Sequence, residues 1–243
     1  MQINKKSRAH STEEFLDPQN KTLRALVLLG TLKSAPAFSH TQALSEILLE
    51  HLSPYNVKGE VVRLVNYRIK PGVESNEGKG DDWPKILAKI FAADIIIFAT
   101  PIWWGTHSSL LQRCIERMDA LNDELLETGK SELANKIGGM VITGAEDGAQ
   151  HVIGNLCDFM LWNGLTLPPA CSLSYLGPYS ENKTKLLKFF RKQKSTTAMA
   201  RVMARNLVYY ARLLKANPLQ STEKGIMKSI APGTVGLGGD VKK

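Results

Sequence analysis

The chain has 243 residues, of which 43% are hydrophobic, and a formal net charge of +8. This length suits one well-filled core and argues against two full-size domains. No stretch of about 18 uncharged apolar residues occurs, and residues 1–20 carry charges but no apolar run, so neither a membrane span nor a secretion signal is predicted. We therefore expect a cytoplasmic protein with no membrane span.

Charge distribution and cysteine content narrow the possibilities further. Residues 183–243 hold 14 of the 31 lysines and arginines but only two acids. The plainer interpretation is a solvated helix face, and the alternatives are contacts with phosphates, nucleic acid, an anionic membrane surface or an acidic neighbouring subunit. No C-x-x-C pair occurs among the three cysteines, Cys114, Cys157 and Cys171, which we expect to be reduced core residues.

The first part of the chain predicts a strand, a loop, a helix and a second strand in succession. Residues 23–29 (LRALVLL) form a continuous apolar run that ends at a glycine, as in a strand buried on both faces of a parallel sheet. A loop over residues 31–39 precedes a helix, since leucine and isoleucine recur at helical spacing over residues 44–52. The second strand is predicted over residues 57–65, and a polar, glycine-rich loop over residues 66–80 follows it.

The rest of the chain continues the alternation of helices and strands. Asp81 and Asp82, followed by Trp83-Pro84, mark the start of a helix. The later elements are a strand over residues 94–99, a helix over 107–121, a strand over 137–143, a helix over 149–161, a strand over 167–172, and one long or two shorter helices over 182–217. Such alternation predicts an α/β fold with a doubly wound parallel sheet.

We divide the chain into four segments on this basis. They are a flexible N-terminal arm (residues 1–20), a ligand-binding domain (21–181), a basic C-terminal helical extension (182–217) and a flexible tail (218–243). The tail is rich in glycine, which favours mobility.

The loop after the first strand predicts an anion site. In a sheet of order 2-1-3-4-5, ligands bind beyond the carboxyl ends of strands 1 and 3. The loop GTLKSAPAFSHTQ leads into a helix N-terminus, where free N–H groups favour a phosphate, although ordinary helix capping is the alternative. It lacks the glycine patterns of a Rossmann turn or a P-loop. The candidate phosphate ligands are Thr31, Ser39, His40, Thr41 and Gln42, with Lys33 as a nearby cation.

The loop after the third strand carries a more specific signal. Its sequence T-P-I-W-W-G, followed by small polar residues and an amphipathic helix, resembles the FMN-reductase branch of the flavodoxin-like superfamily. In that family the loop wraps the edge of the isoalloxazine ring, which implies flavin contacts for Pro101, Ile102, Trp103, Trp104 and Gly105. A flat aromatic ligand needs stacking surface, which adjacent tryptophans supply, although a packed core or a subunit interface would also use them.

The loop after the fourth strand extends the resemblance. Its sequence VITGAEDGAQ is similar to the T-G-G-E-D-G-A segment of the same family, which closes over the flavin. The resemblance implies flavin contacts for Thr143, Gly144, Ala145, Glu146, Asp147 and Gly148. The two acids are interpreted as a helix cap and a loop charge, not as acid catalysts. The resemblance covers about residues 23–177 and implies a flavodoxin-like, five-stranded parallel sheet of order 2-1-3-4-5, although the first loop departs from the family's S-x-R-x-x-S-x-[NT] pattern.

The resemblance also implies an activity. Members transfer hydride from NAD(P)H through bound FMN to a small acceptor such as a quinone, a flavin, an azo dye, a nitro compound or a metal oxyanion. No catalytic side chain is required, because the flavin supplies the chemistry. A homodimer or homotetramer is expected by the same resemblance. We find no metal-ligand spacing and no nucleic-acid motif, and we expect no nucleic-acid partner.

Three other functions stay open. A flavodoxin-type electron carrier would bind FMN without a nicotinamide site, but such proteins are typically shorter and acidic. An interaction module would use the basic helices over residues 182–215. Serine hydrolase chemistry would use His40, His107 or His151, but the G-x-S-x-G pattern is absent.

Overall fold

The computed structural model describes residues 11–178, 180 and 182–220. Five parallel strands form one sheet of order β2-β1-β3-β4-β5. The strands are β1 (Leu23–Leu29), β2 (Val57–Arg63), β3 (Ile95–Pro101), β4 (Ile137–Gly144) and β5 (Ser172–Leu176). The predicted flavodoxin-like sheet is confirmed.

Eight α-helices connect or flank these strands in the described part of the chain. They are α1 (Thr12–Leu16), α2 (His40–Leu52), α3 (Trp83–Ala92), α4 (Ser109–Arg117), α5 (Asp119–Thr128), α6 (Ala149–Trp162), α7 (Lys183–Lys192) and α8 (Lys194–Ala216). Short 3-10 turns, Ser53–Tyr55 and Leu64–Asn66, follow α2 and β2. The second of these turns ends β2 two residues earlier than predicted.

Helices cover both faces of the sheet. In β1, Val27 and Leu29 join the core formed with α2 and α8, while Leu26 and Leu28 join the core formed with α3, α4 and α6. All four side chains are buried. Because a central parallel strand is buried on both sides, its sequence is continuously apolar, which is why the LRALVLL run predicted β1 with its observed bounds.

The C-terminal extension is integrated into this core. Helix α8 packs on α2 and β5, and α7 packs on α2, where Lys183 and Arg191 pair with Glu46 and Glu50. The buried Arg212 guanidinium donates to the carbonyl oxygens of Phe15, Asp17 and Tyr55 at 2.6–3.0 Å. These bonds join α8 to the segment around α1 and to the turn before β2. The extension therefore consists of two helices, one of the two predicted arrangements.

The four-segment division stays a prediction. Residues 1–10 of the predicted arm and 221–243 of the predicted tail lie outside the described residues. Within the arm, residues 12–16 form α1 and contact α8.

The fifth strand was predicted in the wrong place. Residues 167–172 were expected to form it, but β5 is Ser172–Leu176, and its register pairs Met140 with Ser172. Pro168 and Pro169 fall in the predicted range, and proline has no N–H to donate to a sheet. Upstream of β5, Thr166 forms an isolated bridge with Ile137.

The predicted helix over residues 107–121 is two helices. Helix α4 ends at Arg117, and α5 begins at Asp119 after the C-cap Met118. The Met118 N–H is shared between the carbonyl oxygens of Cys114 and Ile115. Apolar periodicity continues through this break because Met118 and Leu121 are both buried in the same core, so the pattern gave no sign of it.

Candidate functional site

Three loops meet at the carboxyl edge of the sheet, where the strand order reverses between β1 and β3. The first loop comprises residues 30–39, the second residues 102–108 and the third residues 145–148. They border a cavity of about 290 Å³, which we call the switch-point cavity. It is lined by Thr31, Leu32, Lys33, Ser39, His40, Thr41, Pro101, Ile102, Trp103, Thr143, Gly144 and Ala145.

Eleven of the seventeen predicted ligand residues line this cavity. The other six are Gln42, Trp104, Gly105, Glu146, Asp147 and Gly148. Leu32 is a lining residue that the prediction missed, although its position between Thr31 and Lys33 was a sufficient signal.

The first loop ends at the N-terminus of α2. The Ser39 hydroxyl caps this helix by accepting from the Gln42 N–H at 3.3 Å. Arg63, the last residue of β2, donates to the carbonyl oxygens of Lys33 and Ala37 at 3.0 and 2.8 Å. Arg63 therefore holds the first loop from outside the cavity and helps to fix the positions of the hydroxyl groups that this loop carries.

Gln42 is oriented away from its predicted role. Its side-chain oxygen accepts from the Arg63 guanidinium, and its side-chain nitrogen donates to Glu46 at 3.0 Å. Sequence analysis did not consider Arg63, which is 21 positions away. Its position at the carboxyl end of β2 could have drawn attention to it, since parallel strands end at the same edge.

A buried pair of hydroxyls joins the start of α2 to the end of β4. Thr41 Oγ1 and Thr143 Oγ1 are 2.7 Å apart, and both side chains are almost completely buried. Thr41 lies in the first turn of α2, and Thr143 lies in β4. The bond therefore spans the end of β3 and links two walls of the switch-point cavity.

The second loop contains a tight hairpin. Trp103 and Thr106 exchange backbone hydrogen bonds of 2.8 and 3.0 Å. The two residues between them, Trp104 and Gly105, have φ values of +49° and +79°, as in a type I′ turn. Trp103 is half-exposed beside the cavity, and Trp104 is fully exposed at the tip.

The second and third loops touch through small residues. A Cβ on Gly148, whose φ is +91°, would lie 3.0 Å from Gly105 Cα. A Cβ on Gly144 would lie 2.6 Å from Ile102 Cδ1. Glycine at both positions lets the loops approach closely. Glu146 and Asp147, between them, are exposed, as expected for a loop charge. The expected helix cap is wrong, because the N-cap of α6 is Gly148 and no side chain caps this helix.

A second cavity of about 450 Å³ adjoins the first and shares Leu32 and Trp103 with it. Its other lining residues are Thr106, His107, Ser109 and Gln112. The three histidines of the hydrolase alternative have separate partners: His107 contacts Gln112, His151 contacts Asn155, and His40 contacts the Ser180 carbonyl. This arrangement gives the hydrolase alternative no support.

Other chemistries find little support among the described residues. No cluster of three or more His, Cys, Asp or Glu side chains there could hold a metal ion. The three cysteines are free thiols, and burial raises the pKa of Cys171 to about 11. In the same part of the chain, no helix has the length and apolar character needed to cross a membrane.

The comparison with protein families bears directly on this cavity. The model described as NADPH-dependent FMN reductase matches residues 23–175, which include all three loops. The chain belongs to the NADPH-dependent FMN reductase family. Membership makes the protein a flavodoxin-like flavoprotein of the oxidoreductase class, and it implies the use of FMN and NADPH.

The similarity to individual proteins extends beyond residues 23–175. The chain is 29% identical over 205 residues to 8-demethyl-8-aminoriboflavin-5'-phosphate synthase from Streptomyces davaonensis, covering 81% of this chain and 80% of that protein. The crystal structure of RosB with bound 8-demethyl-8-formylriboflavin-5'-phosphate is also 29% identical, with a TM-score of 0.71 over 82% of each chain. These similarities cover more of the chain than the family model does.

One further relative is similar over a smaller part of its own length. The chain is 33% identical over 164 residues to the divalent metal cation transporter MntH of Mycobacterium bovis. The alignment covers 66% of this chain but only 24% of the transporter. The chain thus spans about a quarter of that protein.

The donor set of the switch-point cavity fits FMN. Its lining combines hydroxyls and a helix N-terminus, which suit a phosphate, with Ile102 and Trp103, which offer apolar surface to a flat ring. Among the lining residues only Lys33 and His40 are ionisable, and none is a carboxylate that would repel the phosphate.

Proposed function

We propose that the switch-point cavity binds FMN and that the protein transfers hydride from NAD(P)H through the flavin to a small acceptor such as a quinone or another flavin. The observation that carries this proposal is the convergence of eleven motif residues, from three separate loops and the strand and helix ends beside them, on one cavity. That cavity lies where an open α/β sheet binds its ligand. Family membership supports the same cofactors.

The phosphate would bind at the first loop. The N-terminus of α2 carries the positive end of the helix dipole, which favours an anion. Thr31, Ser39 and Thr41 place hydroxyls beside it, and Lys33 adds a positive charge. Arg63 fixes the loop that carries Lys33, so these groups are oriented before the ligand binds.

The ring would lie between the second and third loops. Pro101, Ile102 and Trp103 would offer it the side of β3 and the second loop, and Gly144 and Ala145 the end of β4 and the third loop. Backbone N–H and C=O groups of these residues would be the partners for the polar rim of the ring. Trp103 leaves half of its surface exposed, which is compatible with an open face for a second substrate.

The chain's own contribution is binding and orientation. When bound, FMN supplies hydride-transfer chemistry that protein side chains lack. The lining residues hold the phosphate, set the plane of the ring and exclude water from one face. Glu146 and Asp147 lie outside the cavity lining, so neither is assigned a catalytic role.

We infer a homodimer or homotetramer as part of this proposal. Trp104 is fully exposed in a backbone conformation that is unfavourable for a side chain with a Cβ. A contact with a second copy, or with the acceptor, would compensate for that strain. Light scattering on the purified protein measures the mass directly.

The absorption spectrum of the purified protein, supplemented with FMN and then with NADPH under anaerobic conditions, tests the proposal. We expect a flavin band near ~450 nm that bleaches on addition of NADPH. Bound flavin that NADPH leaves oxidised would favour an electron carrier without a nicotinamide site. Failure to bind FMN at all would refute the assignment of the cavity.

A second candidate function is chemical modification of the flavin itself. It is favoured by the 29% identity to 8-demethyl-8-aminoriboflavin-5'-phosphate synthase across about four-fifths of both chains. In this case an FMN-like molecule would be the substrate and would leave altered. Mass spectrometry of the flavin after incubation separates the two functions, because a reductase returns FMN unchanged when reoxidised and a modifying enzyme returns a different mass.

A further inference from the structure

We propose that the outer surface of α7 and the first half of α8 docks on anionic phospholipid membranes. We call this region the α7–α8 cationic surface. Its cations are Lys185, Lys188, Lys192, Lys194, Arg201 and Arg205, and its exposed apolar residues are Phe189, Met199 and Val202. The proposal does not depend on the flavin chemistry.

The six cations are not used to hold the fold together. The other basic residues of these helices have internal partners: Lys183, Arg191 and Lys215 form ion pairs with Glu46, Glu50 and Asp94, and Arg212 is buried against three carbonyl groups. The six are all exposed and form no ion pair with any described residue. Residues 183–220 contain no acid at all, so the positive charge of this surface is not balanced along the helices.

Neighbouring elements do not neutralise the surface either. Glu46 and Glu50 on α2 already pair with Lys183 and Arg191. On α2, His51 lies close enough to Arg201 that burial and the positive charge of this arginine lower the histidine pKa. Histidine carries no negative charge in either protonation state, so it cannot offset the arginine charge.

Apolar side chains accompany the cations. Phe189, Met199 and Val202 are 43%, 44% and 46% exposed. Cations interleaved with apolar side chains are the composition of surfaces that bind at the membrane interface, where lysines meet lipid phosphates and apolar groups enter the acyl boundary. Phe189 is the one residue of the three that could stack on a base, whereas methionine and valine cannot, so the composition as a whole favours lipid over nucleic acid.

A second copy of the chain, or one of the chain's own ends, would fit this surface less well than an anionic membrane does. In a two-fold symmetric interface the surface would face its own copy, and six cations would oppose six others. Residues 1–10 carry three basic residues and no acid, and residues 221–243 carry more basic than acidic residues. Neither end of the chain therefore complements the charge.

The test is co-sedimentation of the full chain with vesicles of phosphatidylcholine containing about 30 mol % phosphatidylglycerol, compared with pure phosphatidylcholine. We expect binding to the anionic vesicles only, and its loss at high salt. The triple variant Lys185→Gln/Lys188→Gln/Lys192→Gln should lower the partition coefficient by on the order of 100-fold, at about fivefold for each lysine.

Two further variants decide whether this surface is responsible. The control Lys58→Gln/Lys79→Gln/Lys130→Gln removes the same charge from exposed positions elsewhere and should bind as the unmodified protein does. The variant Phe189→Ser/Met199→Ser/Val202→Ser keeps all cations and should bind at least about fivefold more weakly. All variants should retain the unmodified circular dichroism spectrum.

Several results would overturn the proposal. One is absence of binding to anionic vesicles, and another is an equal loss of binding in the control triple variant, which would show a net-charge effect. Tighter binding to a single-stranded RNA, insensitive to the apolar substitutions, would assign the surface to nucleic acid. A lysine-dependent change in mass by light scattering, without vesicle binding, would assign it to a contact between copies.

Discussion

Two long loops at the same edge of the sheet use their polar groups in opposite ways. The loop over residues 67–82 surrounds the buried Arg117, which donates to the carbonyl oxygens of Lys70 and Glu74 and to the Asp81 carboxylate at 2.7 Å. Asp81 also accepts from three backbone N–H groups. The loop over residues 30–39 is instead held by Arg63 from outside and presents its hydroxyls to the switch-point cavity.

The difference separates a structural role from a ligand-binding role. Polar groups whose donors are all engaged inside the protein stabilise the fold and have none left for a ligand, whereas a hydroxyl that accepts one bond, as Ser39 does, still has its O–H to donate. The two arginines after the second ligand loop illustrate this: Arg117 is fully buried, and Arg113 donates to the Ile69 carbonyl. Lys33, by contrast, lines the cavity. Changes in the loop over residues 67–82 should therefore alter stability, and changes in the loop over residues 30–39 should alter binding.

The largest effect should come from Arg117→Met. This variant leaves the Asp81 carboxylate buried without its cation, and we expect the free energy of unfolding to fall by about 3–5 kcal/mol. Urea unfolding measures the change. Lys85→Ala, which breaks the exposed pair with Asp82, is the control and should leave the midpoint unchanged. Equal midpoints for the protein and Arg117→Met would show that the buried pair is not stabilising.

The same pair predicts loss of stability in acid. Burial, the largest single influence, raises the pKa of Asp81, but the Arg117 hydrogen bond and three backbone N–H groups together hold it well below its usual range. Because the folded-state pKa is lowered, the stabilisation is complete above about pH 4 and is lost as the pH falls further. The difference in unfolding free energy between the protein and Asp81→Asn should thus be constant near neutral pH and shrink in acid. A constant difference at all pH values would contradict the assignment.

Ser39→Asp tests the ligand-binding loop. Aspartate caps helices as well as serine does, so the fold should survive, but its charge would oppose the FMN phosphate. We expect FMN to bind more weakly by about 1–3 kcal/mol, measured by fluorescence titration. Riboflavin, which lacks the phosphate, should bind equally to both proteins. Ser11→Asp, at the cap of α1, is the matched control, and an unchanged FMN affinity in Ser39→Asp would move the phosphate elsewhere.

The smallest effect is expected for Trp104→Asn. Asparagine followed by glycine is the preferred pair in a type I′ turn. The free energy of unfolding of the variant should therefore be about 1 kcal/mol higher. Its NADPH oxidation rate should nevertheless fall if the indole contacts the acceptor or a second copy. Trp162→Asn, an exposed position in a helix, should show no gain in stability. A loss of stability in Trp104→Asn would mean that the turn is not strained.

Sequence analysis predicted the sheet well where burial alone decides the pattern. β1 and β4 are buried along almost their whole length because both of their faces are covered, so they contain few polar residues. β5 pairs with one neighbour only, and its residues alternate between buried and exposed. Its apolar pattern is therefore weak, and the prediction placed the strand too early, from Leu167. The break at Met118 was not predictable, because the two helices share one apolar face.

The candidate site was predictable where a loop follows directly from a strand end. The three motifs gave eleven lining residues because strand ends fix where loops meet. The orientation of Gln42 depends on Arg63, and the burial of Thr41 depends on Thr143, 102 positions away. Such long-range pairings leave no periodicity in the sequence, which is why they could not be predicted from it.

The hydroxyl pair between Thr41 and Thr143 sets the width of the cleft before any ligand arrives. The bond joins the start of α2 to the end of β4, so separating these two elements costs about 0.5–1.5 kcal/mol for the lost hydrogen bond. We expect a flavin whose ring edge is wide enough to separate them to bind more weakly by about that amount. A closing lid is not needed for such selectivity, and riboflavin derivatives altered at the ring edge would rank in affinity by their width.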